Sequence, residues 1–108
     1  MKFKKITAII RSHVLKDVES RLRELGVKGI TVSRIKGYGE HKEYLTRDWL
    51  SEQSRIDIFA SRDMIDAIIA AILESAHTGQ QGDGLIAVLP VERIFRIKTK
   101  AEALPSEI

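Results

Sequence analysis

An α+β fold, with two helices laid on one face of a four-stranded antiparallel sheet, is predicted by three features of this 108-residue chain. Segments of period-two alternation and segments of helical apolar period succeed one another in the order strand, helix, strand, strand, helix, strand. The alternating segments are rich in β-branched residues, which fit a pleated surface. Each helical segment gathers its apolar residues on one stripe, so each has one face to bury.

Residues 3–11 alternate, with Ile6, Ala8 and Ile10 on one face, and read as the first strand. Over 15–25, Leu15, Val18, Leu22 and Leu25 recur at helical spacing, Glu19 and Arg23 form an i,i+4 pair, and Gly26 follows as a stop. Residues 29–36 give a second strand through Ile30, Val32 and Ile35. A polar stretch over 37–54, without sustained period, reads as a long connection of the kind that is usually functional. Alternation resumes over 55–60 with Ile56, Ile58 and Ala60. Residues 63–76 carry the wide apolar stripe of Met64, Ile65, Ile68, Ile69, Ile72 and Leu73. An apolar strand over 85–89 ends at Pro90, 91–98 forms the last strand, and 101–108 is a loose tail.

This is the split βαβ, ferredoxin-like pattern, as one domain over residues 1–100. Phe3 and Ile9 face away from Ile6, Ala8 and Ile10, and Phe95 and Ile97 lie opposite Ile94. Apolar residues on both faces mean that the side without helices is covered too, and self-association is the simple way to cover it.

Composition excludes several classes. The hydrophobic fraction of 44% with 31% charged residues is that of an ordinary soluble domain. There is no cysteine, hence no disulfide framework and no thiolate site, which fits a cytoplasmic protein. No apolar run approaches the roughly 18 residues of a membrane span. His13, His41 and His77 show no paired ligand spacing, so no metal site is expected. The net charge of +3 comes from basic residues spread along the chain, which favours a local anion site over a nucleic-acid stripe. No Ser/His/Asp or Cys/His set and no carboxylate pair is placed for catalysis, so the chain is not read as an enzyme.

Chemistry concentrates in Gly79-Gln80-Gln81-Gly82-Asp83-Gly84, where three glycines in six residues bend the backbone between a helix and a strand. Such a turn serves either as a connection that needs positive φ or as a concave set of amides for a phosphate. Arg96 and Lys98, two apart on the expected last strand, would present paired cations on one face. Gly37-Tyr38-Gly39 reads as a strand exit or as a hinge under a loop. Asp83 could hold a magnesium ion, although capping an amide of its own turn is its commoner role.

The chain resembles the PII signal-transduction family. The resemblance is carried by Ala8-Ile9-Ile10-Arg11, Leu25-Gly26, Thr31-Val32-Ser33-Arg34-Ile35-Lys36-Gly37-Tyr38-Gly39, the helix 64–76, Thr78-Gly79-Gln80-Gln81-Gly82-Asp83-Gly84 and Val91-Glu92-Arg93-Ile94-Phe95-Arg96-Ile97-Lys98-Thr99. It implies a homotrimer that binds adenine nucleotides in the clefts between subunits and signals through the loop after the second strand, the T-loop. By that resemblance Thr31 and Phe59 line the adenine end, and Gly37, Tyr38 and Gly39 close over the nucleotide. Gly82, Asp83 and Gly84, with Leu85 beside them, cradle the phosphates, and Arg96 and Lys98 reach them as cations.

Departures from the family pattern refine the expectation. The T-loop is shorter than in family members of full length by about seven residues. His41 stands where they carry Gln, and Gln53 where they carry Lys, which speaks against 2-oxoglutarate as second signal. Leu85 replaces a phosphate-binding Lys, which favours ADP or AMP over ATP. These features resemble the short-loop, carbon-associated branch that takes bicarbonate, for which Gly39, His41, Lys42 and Arg47 are the small-anion candidates. The target would be a protein, such as a membrane transporter or a carbon-metabolism enzyme, with no nucleic acid and no membrane insertion. A trimeric metal-tolerance protein of the same fold is the first alternative. An RNA-binding module is the second, although six aromatic residues are few for a stacking surface.

Overall fold

The computed structural model describes residues 2–37 and 51–108. β1 (Phe3–Arg11) is followed by α1 (Leu15–Leu25), β2 (Thr31–Gly37), β3 (Ser51–Ser61), α2 (Ile65–Ala76) and β4 (Leu85–Val91). A small hairpin of β5 (Phe95–Arg96) and β6 (Ala101–Glu102) and a 3-10 turn at Pro105–Glu107 complete the chain. The four long strands form one antiparallel sheet in the order β2-β3-β1-β4, the ferredoxin-like arrangement that the alternation predicts.

The helices end where local chemistry ends them. Gly26, at φ 97°, takes the left-handed conformation after α1. Its amide donates to the Arg23 carbonyl at 3.1 Å and that of Val27 to Leu22 at 3.0 Å, satisfying carbonyls the helix leaves open. Both helices pack on one side of the sheet, where Ile6, Ala8 and Ile10 of β1 and Ile56 and Ile58 of β3 meet Val18, Leu22, Ile68 and Ile72. Outside this core, Arg21 of α1 reaches Glu74 of α2 at 2.6 Å. No helix among the described residues is long and apolar enough to cross a membrane.

From residue 51 onward the chain departs from expectation in four places. Residues 51–54, read as part of the connection, extend β3: Gln53 pairs with both Ile35 and Arg11. The inward position here is polar, since buried Ser54 stands opposite Ile10 and shares a hydrogen bond with the Ser12 hydroxyl at 3.0 Å, so no apolar alternation marks the strand. Pro90 does not end β4, which continues to Val91 opposite Phe3. β4 is an edge strand, where a missing N–H need not break the ladder.

The expected strand over 91–98 does not form. β5 has two residues, 97–100 turn back with Lys100 at φ 58°, and β6 returns alongside. Nor is 101–108 a loose tail. Ala103 is buried, and its amide donates to the Ile94 carbonyl at 2.8 Å.

Candidate functional site

The glycine turn is organised by one carboxylate. Asp83 accepts the amides of Thr78 and Gly79 at 2.8 and 2.9 Å, the Thr78 hydroxyl, and Arg11 Nε of β1 at 3.2 Å. Arg11 also donates through Nη2 to the Gln81 carbonyl, so the end of β1 clamps the turn on both sides. Asp83 therefore caps its own turn. Gly79, Gly82 and Gly84 all have positive φ. At Gly84 the demand is also steric, because a Cβ would lie 1.7 Å from the Ile9 carbonyl oxygen. The chain's own packing requires that glycine, whatever the turn binds.

The hydrogen bonds from the Thr78 hydroxyl, from its amide, from Gly79 and from Arg11 hold the Asp83 carboxyl far below its ordinary value of 3.8. A depressed folded-state pKa stabilises the turn above 3.8, and that contribution is lost only as pH falls toward the lower folded value. The Thr78 and Gly79 amide shifts, followed by NMR, are expected to stay flat from neutral pH to about pH 4 and to move only below it. A midpoint at or above the ordinary value would contradict the capping geometry.

At the opposite end of the sheet lies a cleft of about 390 Å³. Thr31 of β2, Phe59 of β3 and Arg96 of β5 line it, together with Gly29, Phe95 and Ile108. The structure thus gathers three of the sequence-predicted site residues in one cleft, with an aromatic ring, a hydroxyl and a guanidinium. Lys98 is not with them: it falls in the 97–100 turn, so Arg96 and Lys98 do not form a pair on one strand face. Gly82, Asp83, Gly84 and Leu85 stand at the other end, where Leu85 pairs with Ile9. From Arg11, which holds the turn, to Lys5, which pairs with Phe59, β1 rises about 20 Å. Gly37 ends β2 on the side of the glycine turn, paired with Ser51. Tyr38, Gly39, His41, Lys42 and Arg47 lie outside the described residues.

Sequence reasoning missed Arg11 and Asp57. Asp57 lines the cleft from the sheet face without helices and is 9% exposed. It accepts the Thr7 hydroxyl at 2.7 Å and Arg55 Nε at 3.0 Å, with Lys5 Nζ at 3.7 Å. Burial pushes its carboxyl up, but the Thr7 hydrogen bond and the Arg55 and Lys5 charges outweigh burial and hold it low. An acid alternating with Ile56 and Ile58 was the available signal. Around this group Ile9, Phe59, Leu85 and Leu89 form an apolar margin on the same face, with Phe59 51%, Leu85 58% and Leu89 43% exposed.

Comparison with known proteins bears on what this arrangement serves. The family model described as nitrogen regulatory protein P-II matches residues 3–101. The chain is 41% identical over 105 residues to the nitrogen regulatory protein P-II of Azospirillum brasilense, a match that takes in 89% of this chain and 92% of that protein. It is 39% identical over 108 residues to nitrogen regulatory protein P-II 1 of Escherichia coli (strain K12), covering 92% of this chain and 95% of that one. Among solved structures, that of Arabidopsis thaliana PII bound to citrate superposes with a TM-score of 0.83 at 34% identity, over 94% of this chain and 89% of the other. A fold shared with PII over nearly its whole length and a family match that includes both the glycine turn and the β5 cleft lead to one conclusion: this chain belongs to the nitrogen regulatory protein P-II family, whose members are signal-transduction regulators that act on partner proteins and are not enzymes.

Proposed function

We propose that the chain works as a homotrimeric P-II regulator that binds ADP, AMP or ATP between subunits and signals through residues 39–53 to a protein target. The observation that carries this reading is the division of the site. One chain offers a cleft with an aromatic ring and a guanidinium at one end of its sheet, and a glycine turn about 20 Å away along β1. A single nucleotide joins the two only if the turn of one subunit meets the cleft of the next. Thr31 and Phe59 then take the nucleoside side, and Arg96, with Lys98 nearby, reaches from the same cleft to the phosphates. Gly82, Gly84 and Leu85 take the phosphates from the neighbour, with Gly37, Tyr38 and Gly39 closing over them.

Since the Asp83 carboxylate occupies the Thr78 and Gly79 amides, a phosphate is expected to meet the later part of the turn, at Gly82 and Gly84. Asp83 itself is committed within the turn, so a magnesium ion is expected to bind through the phosphates of ATP and not through this side chain.

Bicarbonate, placed against Gly39, His41, Lys42 and Arg47, is the proposed second ligand, and a transporter or carbon-metabolism enzyme the proposed target. The alignment with the Escherichia coli relative runs over 108 positions yet takes in 92% of this chain, so the relative carries positions this chain lacks, in keeping with a shortened loop. Isothermal titration of ADP, AMP and ATP, each with and without bicarbonate, tests the reading. We expect binding of the mono- or diphosphate at least as tight as that of ATP. No heat with any of the three at millimolar concentration would overturn it.

A further inference from the structure

Arg96 lies on a two-residue strand of an exposed hairpin, a poor platform for a cation that has to meet a phosphate. Its guanidinium is nevertheless held: Nη2 donates to the Glu107 carbonyl at 2.7 Å. That carbonyl belongs to the 3-10 turn Pro105–Glu107, closed by the Glu107 amide on the Leu104 carbonyl at 2.9 Å. Buried Ala103 anchors the segment just before it, and Ile108 just after it lines the same cleft as Arg96, Thr31 and Phe59. The chain leaves the cleft at β5, turns round, and comes back to grip the side chain that β5 presents.

We propose that the turn Pro105–Glu107 is a positioning element of the nucleotide site, which orients Arg96 before a ligand arrives. The inference rests on the nucleotide reading given above. A guanidinium has five N–H donors in a rigid plane, so fixing one at Nη2 sets the direction of the others and leaves them free for phosphate oxygens. Rotamer freedom surrendered in folding is not surrendered again on binding, and this is how pre-organisation raises affinity. The element acts on the phosphate end alone, because its only polar contact with the cleft among the described residues is the bond to Arg96.

The test replaces Pro105, Ser106 and Glu107 with glycine, keeping chain length while dissolving the turn, and measures ADP and adenosine binding by titration. ADP is expected to bind about three- to tenfold more weakly, the cost of ordering one long side chain, with adenosine unchanged. Arg96→Ala is expected to weaken ADP by about tenfold or more. Combining it with the glycine replacement should add nothing further.

ADP binding equal to or tighter than the parent's would overturn the proposal, as would an equal loss for adenosine or additive losses in the combined variant. A parent that takes up no ADP would instead sink the nucleotide reading. In that case the Arg96 Nε–H resonance decides the structural claim: it should be distinct in the parent and averaged in the glycine variant, and identical behaviour in both would refute the positioning role.

Discussion

Gly84→Ala is expected to destabilise the protein by about 3 kcal/mol or more, enough to remove much of the stability of a small domain. Two costs add. A residue with a Cβ at φ 103° pays for the left-handed region, and the new carbon would lie 1.7 Å from the Ile9 carbonyl oxygen and 2.8 Å from its carbon. Both atoms are backbone in the central part of the sheet, so neither can move aside without opening the register of β1 with β4.

Gly79→Ala provides the control. It has a similar positive φ of 83°, but the nearest atom is His77 Cε1 at 3.7 Å, an ordinary contact on an exposed side chain. There the cost is the backbone term alone, about 1 kcal/mol. Denaturant unfolding of the two variants beside the parent separates conformational strain from collision. Equal losses at the two positions would show that Ile9 does not close on the turn as described.

On the proposed trimer, Leu89→Lys is expected to drop the particle from three chains to one, as read by light scattering, with helical circular dichroism unchanged. Leu89 pairs with Lys5, which stands between it and Phe59, and belongs to the sheet face without helices. A lysine there puts two like charges side by side on a surface that has to be dehydrated for subunits to meet. The helix-side core, with Ile6, Ile58 and Ile68 all within 1% of full burial, is not touched, so the monomer should stay folded. The same face carries Thr7, Arg55 and Asp57, but these bond to one another and can be buried without an unpaired acid. A parent that is already monomeric at micromolar concentration would refute the trimer, and with it a site shared between subunits.

The first half of the fold was legible because its signals were strong and consistent. Alternation through Ile6, Ala8 and Ile10, the stripe of Leu15, Val18, Leu22 and Leu25, and the stop at Gly26 all point to elements that the structure contains. The reading failed where a rule depends on position in the sheet. Whether Pro90 breaks a strand depends on whether that strand is at an edge, and order in the sheet is not written locally.

Ile94, Arg96 and Lys98 alternate as strand residues do, yet the chain folds back at 97–100 and finds its partner in Ala101 and Glu102, with Arg93 bridging to Glu102 at 2.9 Å. The candidate site was half legible for the same reason. Local chemistry marks the glycine turn and Arg96, whereas Thr31 and Phe59 were marked only by the family resemblance. That β1 holds the turn and the cleft at opposite ends, that Arg11 clamps the first, and that Glu107 reaches the second are consequences of topology.

Pro90 has one more effect, on how the protein avoids its own kind. Residues 85–91 read Leu-Ile-Ala-Val-Leu-Pro-Val, an almost wholly apolar strand at the border of the sheet, the sort of segment that recruits further strands and grows into fibrils. Proline brings no N–H, so an incoming strand would meet a gap in the ladder partway along β4. Growth along that border is discouraged while the flat of the sheet stays free to dock. On the proposed assembly through the flat of the sheet, the chain gains from having its stickiest border interrupted by a single residue.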